Sequence, residues 1–361
     1  PIYAWSGTRA EPKGQDGPLA TLARARDEAR KLGAAGPVKI VLRGGRYLLT
    51  ETLALTAEDA GTADAPITYV AFKGEKPLLA GCRAVTGFQP WKGPIMVADL
   101  KGTPLEQVRF RQLFCNGERQ VLARCPNLDP KDPHGGAWGY VAAVDGDGIK
   151  DRFHYLEGVE KNWTHIERAE VGIHPYFDWA WNVVPVKAVD RDDRQIILQG
   201  NVSYDLHVGD RYFIQNLLEE LDAPGEWYLD PDQSRLYFWP PSDLTKAEVL
   251  APVVGDLIRL DGASYTTLRG LTVEGCDGTG VVIANCERSL LAQSVVRNTG
   301  GWGLSISGGH DSGAQGNDVY ATGAGGIALT GGDRKTLEPG RNFADNNVVH
   351  HIAVFAKTYN T

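Results

Sequence analysis

The sequence has very little methionine and no closely spaced pair of cysteines. Its 361 residues include one methionine and no two cysteines at Cys-Xaa-Xaa-Cys spacing, which argues against the common zinc and thiol-redox motifs. The cysteine count is odd, so at least one thiol is unpaired. The five cysteines are Cys82, Cys115, Cys125, Cys276 and Cys286. We therefore expect no metal and no cofactor.

Basic residues and long apolar runs are also scarce. Lysine and arginine number 37 against 45 acidic residues, and the resulting charge of −8 argues against a nucleic-acid partner. No apolar run reaches the ~18 residues of a membrane-spanning helix, so we expect no membrane partner. The chain begins at Pro1 without a signal-like segment. We expect a secreted or periplasmic monomer whose export signal has been removed.

The residue types that are abundant indicate a soluble, turn-rich fold. Hydrophobic residues make up 42% of the chain and charged residues 23%, as in ordinary globular proteins. The 43 glycines suit many tight turns. The nine tryptophans are either core residues or, where exposed, flat surfaces for sugar rings.

The N-terminal part, residues 1–96, predicts one helix followed by short strands. Residues 19–32 have helical periodicity and Gly33 follows as the end of the helix. The apolar face contains Leu22, Ala25, Ala29 and Leu32. Short β-rich runs follow at 38–42, 53–55, 67–72 and 77–81. One helix before regularly spaced strands indicates a capped β-solenoid.

Residues 97–250 differ in sequence pattern and composition from the flanking parts. They contain longer alternating strands, most of the tryptophans and a hairpin signal, Cys-Asn-Gly-Glu, at 115–118. Residues 221–241 predict two strands around an Asp-Pro-Asp turn, with Glu226, Asp230 and Asp232 as turn and rim residues. This region is predicted to be an inserted β-sandwich.

From residue 251 onward the chain repeats every 23 residues. The clearest row is Ile258, Val281, Leu304 and Ile327. The same interval relates Leu260, Ile283, Ile306 and Leu329; Val273, Val296 and Val319; and Leu268, Leu291 and Ala314. Gly280, Gly303 and Gly326 precede three of the strands. Three apolar rows per repeat predict three strands per coil of a right-handed parallel β-helix. No capping segment follows, so we expect further coils beyond Thr361.

The same alignment places charged residues in two columns at one turn. The first column contains Glu287, His310 and Asp333, and the second contains Arg288, Asp311 and Arg334. Neighbours lie about 4.8 Å apart, so His310 with either acid is a candidate acid–base pair. Glu287 and Asp333 lie roughly 10 Å apart, slightly beyond the ~6.5–9.5 Å spacing of an inverting glycosidase.

A purely structural role explains these columns equally directly. Alternating charges suit a solvated turn, and Asp333 would accept turn N–H groups while Arg334 reaches Asp311. We favour this interpretation. The catalytic candidates are Asp333, His310 and Glu287. The candidate substrate-binding residues are Trp179, Trp181, Trp302 and Arg334, with Trp179 and Trp181 on one face if residues 174–181 are extended. His350 and His351 would face opposite ways on a strand, which makes them a poor metal pair.

Several segments together resemble secreted right-handed β-helix glycoside hydrolases. They include "DGPLATLARARDEARKL", "VKIVLRGGRYLL", "PITYVAFKGEKPLLAG", "LDAPGEWYLDPDQSRLYFWPP" and "GGIALTGGDRKTLEPGRN". The group they resemble is glycoside hydrolase family 141, which includes α-L-fucosidases and xylanases. The resemblance implies hydrolysis of a plant cell-wall polysaccharide by paired carboxylates. The family's proposed catalytic aspartates lie on later coils, so the resemblance assigns no catalytic residue here, and we expect little activity from these residues alone.

Two other functions remain open on the sequence. A polysaccharide lyase needs an outward carboxylate cluster for Ca²⁺ and a base that removes a proton α to a uronate carboxyl. The outward row Arg259, Val282, Ser305 and Ala328 offers no carboxylate for this. A non-catalytic glycan-binding module would have exposed aromatic residues and no close pair of acids.

Overall fold

The computed structural model describes residues 5–32, 35–129, 131–132, 137–159, 161–176 and 178–360. The predicted helix end at Gly33 lies outside these residues. The chain divides into two compact units. The first unit comprises Pro1–Cys82, Pro252–Phe355 and Asn360–Thr361, and the second comprises Arg83–Ala251 and Ala356–Tyr359. Within the described residues, no helix has the length and apolarity to cross a membrane.

The elements are mostly short strands. The segment before the second unit contains α1 (Leu22–Leu32), β1 (Val38–Leu42), β2 (Gly45–Leu48), β3 (Leu53–Leu55), β4 (Ile67–Ala71), β5 (Pro77–Ala80) and β6 (Cys82–Ala84). The segment after it contains β22 (Ile258–Asp261), β23 (Thr266–Arg269), β24 (Thr272–Cys276), β25 (Val281–Ala284), β26 (Leu290–Ala292), β27 (Val295–Thr299), β28 (Leu304–Ser307), β29 (Gly313–Gln315), β30 (Asp318–Tyr320), β31 (Ile327–Leu329), β32 (Phe343–Asp345) and β33 (Val348–His350).

The second unit holds the strands between these two sets. They are β7 (Gln89–Lys92), β8 (Ile95–Asp99), β9 (Phe114–Cys115), β10 (Glu118–Arg119), β11 (Val121–Leu122), β12 (Arg124–Cys125), β13 (Gly139–Tyr140), β14 (Arg152–His154), β15 (Glu170–His174), β16 (Asn182–Asp190), β17 (Gln195–Leu198), β18 (Arg211–Gln215), β19 (Glu226–Asp230), β20 (Arg235–Phe238) and β21 (Val249–Pro252). Single 3₁₀ turns lie at Ala57–Asp59, Ile166–Arg168 and Leu218–Glu220.

The first unit is a right-handed parallel β-helix with three parallel sheets. The strand orders are β1-β4-β23-β26-β29-β32, β2-β5-β24-β27-β30-β33 and β3-β22-β25-β28-β31. Each coil contributes one strand to each sheet, and β3, β4 and β5 pair directly with β22, β23 and β24 although the second unit separates them in sequence. The predicted fold class is confirmed.

The predicted 23-residue rows are confirmed by the strand register. Ile258 pairs with Val281, Val281 with Leu304, and Leu304 with Ile327. The rows that contain Leu260, Leu268 and Val273 face a shared interior in which their side chains are buried, except that Leu329 at the last coil is 38% exposed. Strand β2 at Gly45–Leu48 was not predicted.

Glycine is required in the column that precedes these strands. A Cβ atom on Gly280 would lie 2.8 Å from the carbonyl oxygen of Gly303, and one on Gly303 would lie 2.9 Å from that of Gly326. Backbone atoms of adjacent coils leave no room there for a side chain.

The N-terminal helix packs against the β-helix core. Thr21 Oγ1 caps it by accepting from Arg24 N at 3.1 Å. Leu22, Ala25 and Ala29 are buried as predicted. Leu32 was predicted on the same face, but it is 61% exposed. That prediction was wrong, because the last helical residue extends past the surface that the helix covers.

The second unit consists mainly of antiparallel sheets and begins at Arg83 rather than at residue 97. One sheet has the order β11-β19-β20-β8-β7, a second has β12-β18-β15-β16-β17-β14 with β13 also on β18, and a third contains β10-β9-β21. The hairpin predicted at 115–118 is present as β9 and β10, with positive φ at Asn116 and Gly117. The sandwich arrangement stays a prediction.

The predicted pair of strands in 221–241 is present as β19 and β20. Asp232 is an exposed turn residue, as expected. Glu226 and Asp230 were expected at the rim, but both are buried. That expectation was wrong, because their carboxylates accept backbone N–H groups from the turns beside them, at 222–223 for Glu226 and 232–233 for Asp230.

Buried polar side chains fasten one turn of each coil to the next. Asn317 Nδ2 donates to Leu291 O at 3.0 Å and to Asn347 Oδ1 at 2.9 Å. Asn317 Oδ1 accepts from Ser294 N at 3.0 Å. These bonds satisfy backbone groups that the turn removes from the sheets.

We predict that Asn317→Ala lowers the free energy of unfolding by about 2 kcal/mol or more, because buried donors and acceptors lose their partners. The matched control is Gln315→Ala on the exposed face of the neighbouring strand, which should change stability by less than about 0.5 kcal/mol. Urea unfolding followed by circular dichroism measures both. Equal effects of the two substitutions would contradict this role.

Candidate functional site

The first two members of the predicted charged column are neighbours. Glu287 and His310 form a parallel β-bridge between adjacent coils. The hydroxyl of Tyr265, one coil earlier, donates to Glu287 Oε1 at 2.8 Å, and this bond raises the pKa of Tyr265. Glu287 and His310 are therefore brought together as expected.

Asp333 does not continue this column, and that prediction was wrong. Its backbone pairs in antiparallel fashion with Glu338 of its own loop. In the next coil, Gly340 O accepts from Asp311 N at 2.9 Å, and Phe343 pairs with Gly313. The interval between coils has become 343 − 313 = 30 residues. The loop therefore adds 30 − 23 = 7 residues, and Asp333 lies in this excursion.

The side chain of Asp333 closes the turn that begins the excursion. Its Oδ1 accepts from Lys335 N at 2.7 Å and Thr336 N at 3.4 Å. These backbone donors lower the pKa of Asp333. This agrees with the predicted structural role of the carboxylate.

Arg341, not Arg334, pairs with Asp311. Arg341 Nε and Nη2 donate to the two carboxylate oxygens at 2.7 and 2.8 Å, and His310 Nδ1 lies 3.0 Å from Oδ2. These bonds hold the pKa of Asp311 well below its ordinary value. The predicted Arg334–Asp311 contact was wrong because the seven added residues move Arg341 into that position.

We predict that Arg341→Ala lowers the melting temperature, because it leaves Asp311 without the bidentate partner that holds the end of the excursion. Arg334→Ala is the matched control and should leave the melting temperature unchanged. Differential scanning calorimetry at neutral pH compares them. A larger drop in melting temperature for Arg334→Ala would favour the 23-residue alignment, in which Arg334 contacts Asp311.

The tryptophans predicted to bind substrate lie in different environments. Residues 175–176 and 178–179 are in turns, so residues 174–181 are not extended and the predicted common face of Trp179 and Trp181 was wrong. Trp179 is 63% exposed. Trp181 is half-buried, with its ring centroid 4.7 Å from that of His174 and 6.0 Å from that of Trp138. Trp302 covers Gly325, where an added Cβ would lie 2.0 Å from the indole ring.

A second column, which the sequence analysis missed, runs along the outward face of the sheet containing β24, β27, β30 and β33. Its members are Glu274, Arg297, Tyr320 and His350. The strand register pairs each of them with the next, so four successive coils contribute one polar side chain each. We call this set the outer column.

Direct contacts connect the whole outer column. Arg297 Nε donates to Glu274 Oε2 at 2.6 Å, and Nη1 donates to the Tyr320 hydroxyl at 2.9 Å. Burial opposes the charge on Arg297, but its hydrogen bonds to Tyr320 and Glu274 leave its pKa raised. The rings of Tyr320 and His350 stack with centroids 4.9 Å apart and an interplanar angle of 11°.

The outer column ends in an acid–base pair. His350 Nε2 lies 3.1 Å from Asp318 Oδ1, and the two side chains are 40% and 46% exposed. His350 Nδ1 also lies 2.6 Å from His351 Nδ1. The expectation that these histidines face apart was wrong, because the strand ends at His350 and His351 has a positive φ. The described residues contain no group of three or more potential metal ligands.

The 23-residue repeat could have identified three of the four members of the outer column. Glu274, Arg297 and Tyr320 follow the interval of 23, one residue after the predicted row of Val273, Val296 and Val319. His350 follows Tyr320 by 30 residues, so a fixed interval does not find it.

Comparison with known proteins agrees with this fold. A family described as "Right handed beta helix region" matches residues 256–361. A structure entitled "Glycoside hydrolase" matches with a TM-score of 0.70 and 17% identity, over 97% of this chain and 73% of that one. No protein of curated function matches.

Other solved structures match less closely. The complex of XylC with xylose has a TM-score of 0.38 and 13% identity, over 94% of this chain and 56% of that one. The tailspike protein gp49 from Pseudomonas phage LKA1 has a TM-score of 0.21 and 16% identity, over 91% of this chain and 47% of that one. Only the match at a TM-score of 0.70 bears on this chain, and at 17% identity it supports the fold alone.

Proposed function

We propose that the protein is a secreted or periplasmic glycoside hydrolase of a plant cell-wall polysaccharide such as xylan or fucosylated pectin, similar to glycoside hydrolase family 141. The observation that carries this proposal is the Asp318–His350 hydrogen bond, 3.1 Å long, between two part-exposed side chains on the outward face of a rigid sheet. An acid–base pair on a regular strand is held in place by the coil register.

Glycoside hydrolysis needs a proton for the leaving oxygen and negative charge near the positively charged transition state. In the Asp318–His350 pair, protonated His350 donates its proton to the leaving oxygen and the Asp318 carboxylate stabilises that charge. Water then forms the new bond to the anomeric carbon and returns a proton to His350. Glu274 is buried and ion-paired with Arg297 at 2.6 Å, so it holds the Arg297 side chain in place. The outer column spans three strand spacings, about 14 Å, enough for more than one sugar ring.

Glu287 and His310 form a second proposed acid–base pair, since the β-bridge places them in adjacent coils. The exposed Trp179 is proposed to stack against sugar rings, and exposed aromatic surfaces are the feature expected of glycan binding. Asp333 ranks below these residues, because its carboxylate is occupied by its own turn.

One observation favours polysaccharide lyase chemistry as a second candidate. Arg297, Tyr320 and His350 occupy consecutive coils and contact one another. A guanidinium can neutralise a uronate carboxylate, and an imidazole and a phenol can transfer the proton. This arrangement requires an acidic sugar, whereas the hydrolase does not.

The proposal is tested by incubating the chain with xylan and with de-esterified, fucosylated pectin. Hydrolysis produces new reducing ends without the ultraviolet absorbance of an unsaturated uronate, and a lyase produces both. Because the Asp318–His350 pair lies within this chain, we predict hydrolysis, in contrast to the low activity expected from the sequence alone. The rate should fall by about 100-fold or more for His350→Gln, which removes a proton-transfer group, and also for Asp318→Asn, which removes its partner.

The control is Asp345→Asn, an exposed aspartate on the outward face of a different sheet, which should retain full activity. Glu287→Gln distinguishes the two proposed acid–base pairs. A rate that falls with Glu287→Gln and not with Asp318→Asn would move the site to the charged turn. An inactive chain that melts cooperatively would contradict the proposal.

A further inference from the structure

The second unit contains an unusual concentration of positive charge among aromatic rings. Arg124 is 6% exposed, and its guanidinium lies 3.8 Å from the ring centroid of Phe213. Arg211 lies 4.8 Å from the ring centroid of Trp138. Lys357, from the short segment Ala356–Tyr359 that belongs to this unit, is the third cation. We call these three residues the cation cluster.

The positive charge of the cation cluster is only partly compensated. Arg211 Nε pairs with Asp178 Oδ1 at 2.8 Å. Glu226 Oε1 accepts from the backbone N of Arg124 at 3.4 Å, and burial raises the pKa of Glu226 to about 7. Arg124 directs Nε and Nη2 to the carbonyl oxygens of Pro126 and Ala137 rather than to carboxylates. Among the described residues, the three cations therefore share the two carboxylates of Asp178 and Glu226.

Three basic groups in and beside the cation cluster have lowered pKa values. Burial, followed by the charges of Arg124 and Arg211, lowers the pKa of Lys357 to about 8. Burial lowers the pKa of Arg124 to about 10. Burial and then Arg211 lower the pKa of His174 to about 4. An anion bound among them would oppose these shifts, because a nearby negative charge favours the protonated form.

An uncharged hydrogen-bond donor, the indole N–H of Trp181, lies among the same aromatic rings. Trp181 Nε1 is buried and has no acceptor among the described residues. Its ring lies 6.0 Å from that of Trp138 and 5.6 Å from that of Phe213. A buried donor without an acceptor is costly, and a ligand oxygen would satisfy it.

Exposed aromatic rings come from the segment just before Trp181. Trp179 is 63% exposed, and Tyr176, 43% exposed, stacks on Tyr204 with centroids 5.2 Å apart. Such rings suit the flat faces of sugars.

We propose that the cation cluster, together with Trp181, is a binding subsite for the carboxylate of a uronic acid residue in a polysaccharide, with Trp179 and Tyr176 against neighbouring sugar rings. The identity of the ligand as a sugar rests on the proposed function. The requirement for an anion rests on the charges alone. The subsite makes acidic polysaccharides, such as pectic fragments, the preferred ligands of this unit.

The test is isothermal titration calorimetry of the whole chain with a de-esterified oligogalacturonide and with a neutral xylo-oligosaccharide of equal length. We expect the acidic oligomer to bind at least about tenfold tighter, with affinity falling as the pH rises through about 8, where Lys357 loses its charge. Galacturonate monomer and sulfate should bind far more weakly, because they lack the contacts of neighbouring rings.

Lys357→Met should weaken binding of the acidic oligomer by about tenfold or more, while its melting temperature stays equal or rises, because a charge disfavoured by two arginines is removed. The control is Lys101→Met, an exposed lysine of the same unit, which should bind like the wild type. Arg211→Gln is a second variant and should also weaken binding. Unchanged affinity in both variants, or sulfate binding as tightly as the oligomer, would overturn the subsite.

Hydrolysis of neutral xylan separates this subsite from the proposed function. Lys357→Met should leave that rate unchanged. If the wild type cleaves neither xylan nor fucosylated pectin but the acidic oligomer binds as described, the proposed hydrolase fails and the subsite stands.

Discussion

Parallel hydrogen bonding between successive coils is the constraint on which the first unit depends. Each strand pairs with its counterpart one coil away, so a residue's neighbours are fixed by the interval between coils. Side chains in one position then form a column spaced about 4.8 Å apart. The interior rows supply the apolar core, the glycine row allows close backbone approach, and Ser294, Asn317 and Asn347 join the turns. The outward positions are left for polar groups.

A change in the interval between coils decides which polar groups meet. The excursion after β31 adds seven residues, since the interval changes from 23 to 30. This addition removes Asp333 and Arg334 from the charged column and brings Arg341 to Asp311. It also brings His350 onto Tyr320 and beside Asp318. The same insertion thus places Asp333, a candidate catalytic acid, in a turn where backbone N–H groups bind its carboxylate, and it completes the outer column.

The sequence predicted the parts of the structure that repeat. The apolar rows, the glycine column and the adjacency of Glu287 and His310 all follow from an interval of 23. The hairpin at Asn116 and Gly117 follows from local turn chemistry. A fixed interval could not find His350, because loop lengths do not show where a chain rejoins its sheet.

Contacts between segments far apart in the chain also could not be predicted from the sequence. Lys357 lies near enough to Arg124 and Arg211 for their charges to lower its pKa, although more than a hundred residues separate it from both. Trp179 and Trp181 were predicted to share a face because alternation assumes an extended strand, whereas the turns at 175–176 and 178–179 separate them. The boundary at Arg83 lies where strands change from parallel to antiparallel pairing, which composition does not indicate.

The register after the excursion is the central claim, because the outer column and the Arg341–Asp311 pair both depend on it. Paired cysteines test it directly, since adjacent parallel residues lie about 4.8 Å apart, within the ~4.4–6.8 Å Cα range of a disulfide. Gln315→Cys combined with Asp345→Cys should form a cross-link on oxidation, identified by peptide mass spectrometry, because Gln315 and Asp345 are register partners. Gln315→Cys combined with Glu338→Cys, the pair that an unbroken interval of 23 would align, should not. A cross-link in the second variant and none in the first would contradict the account.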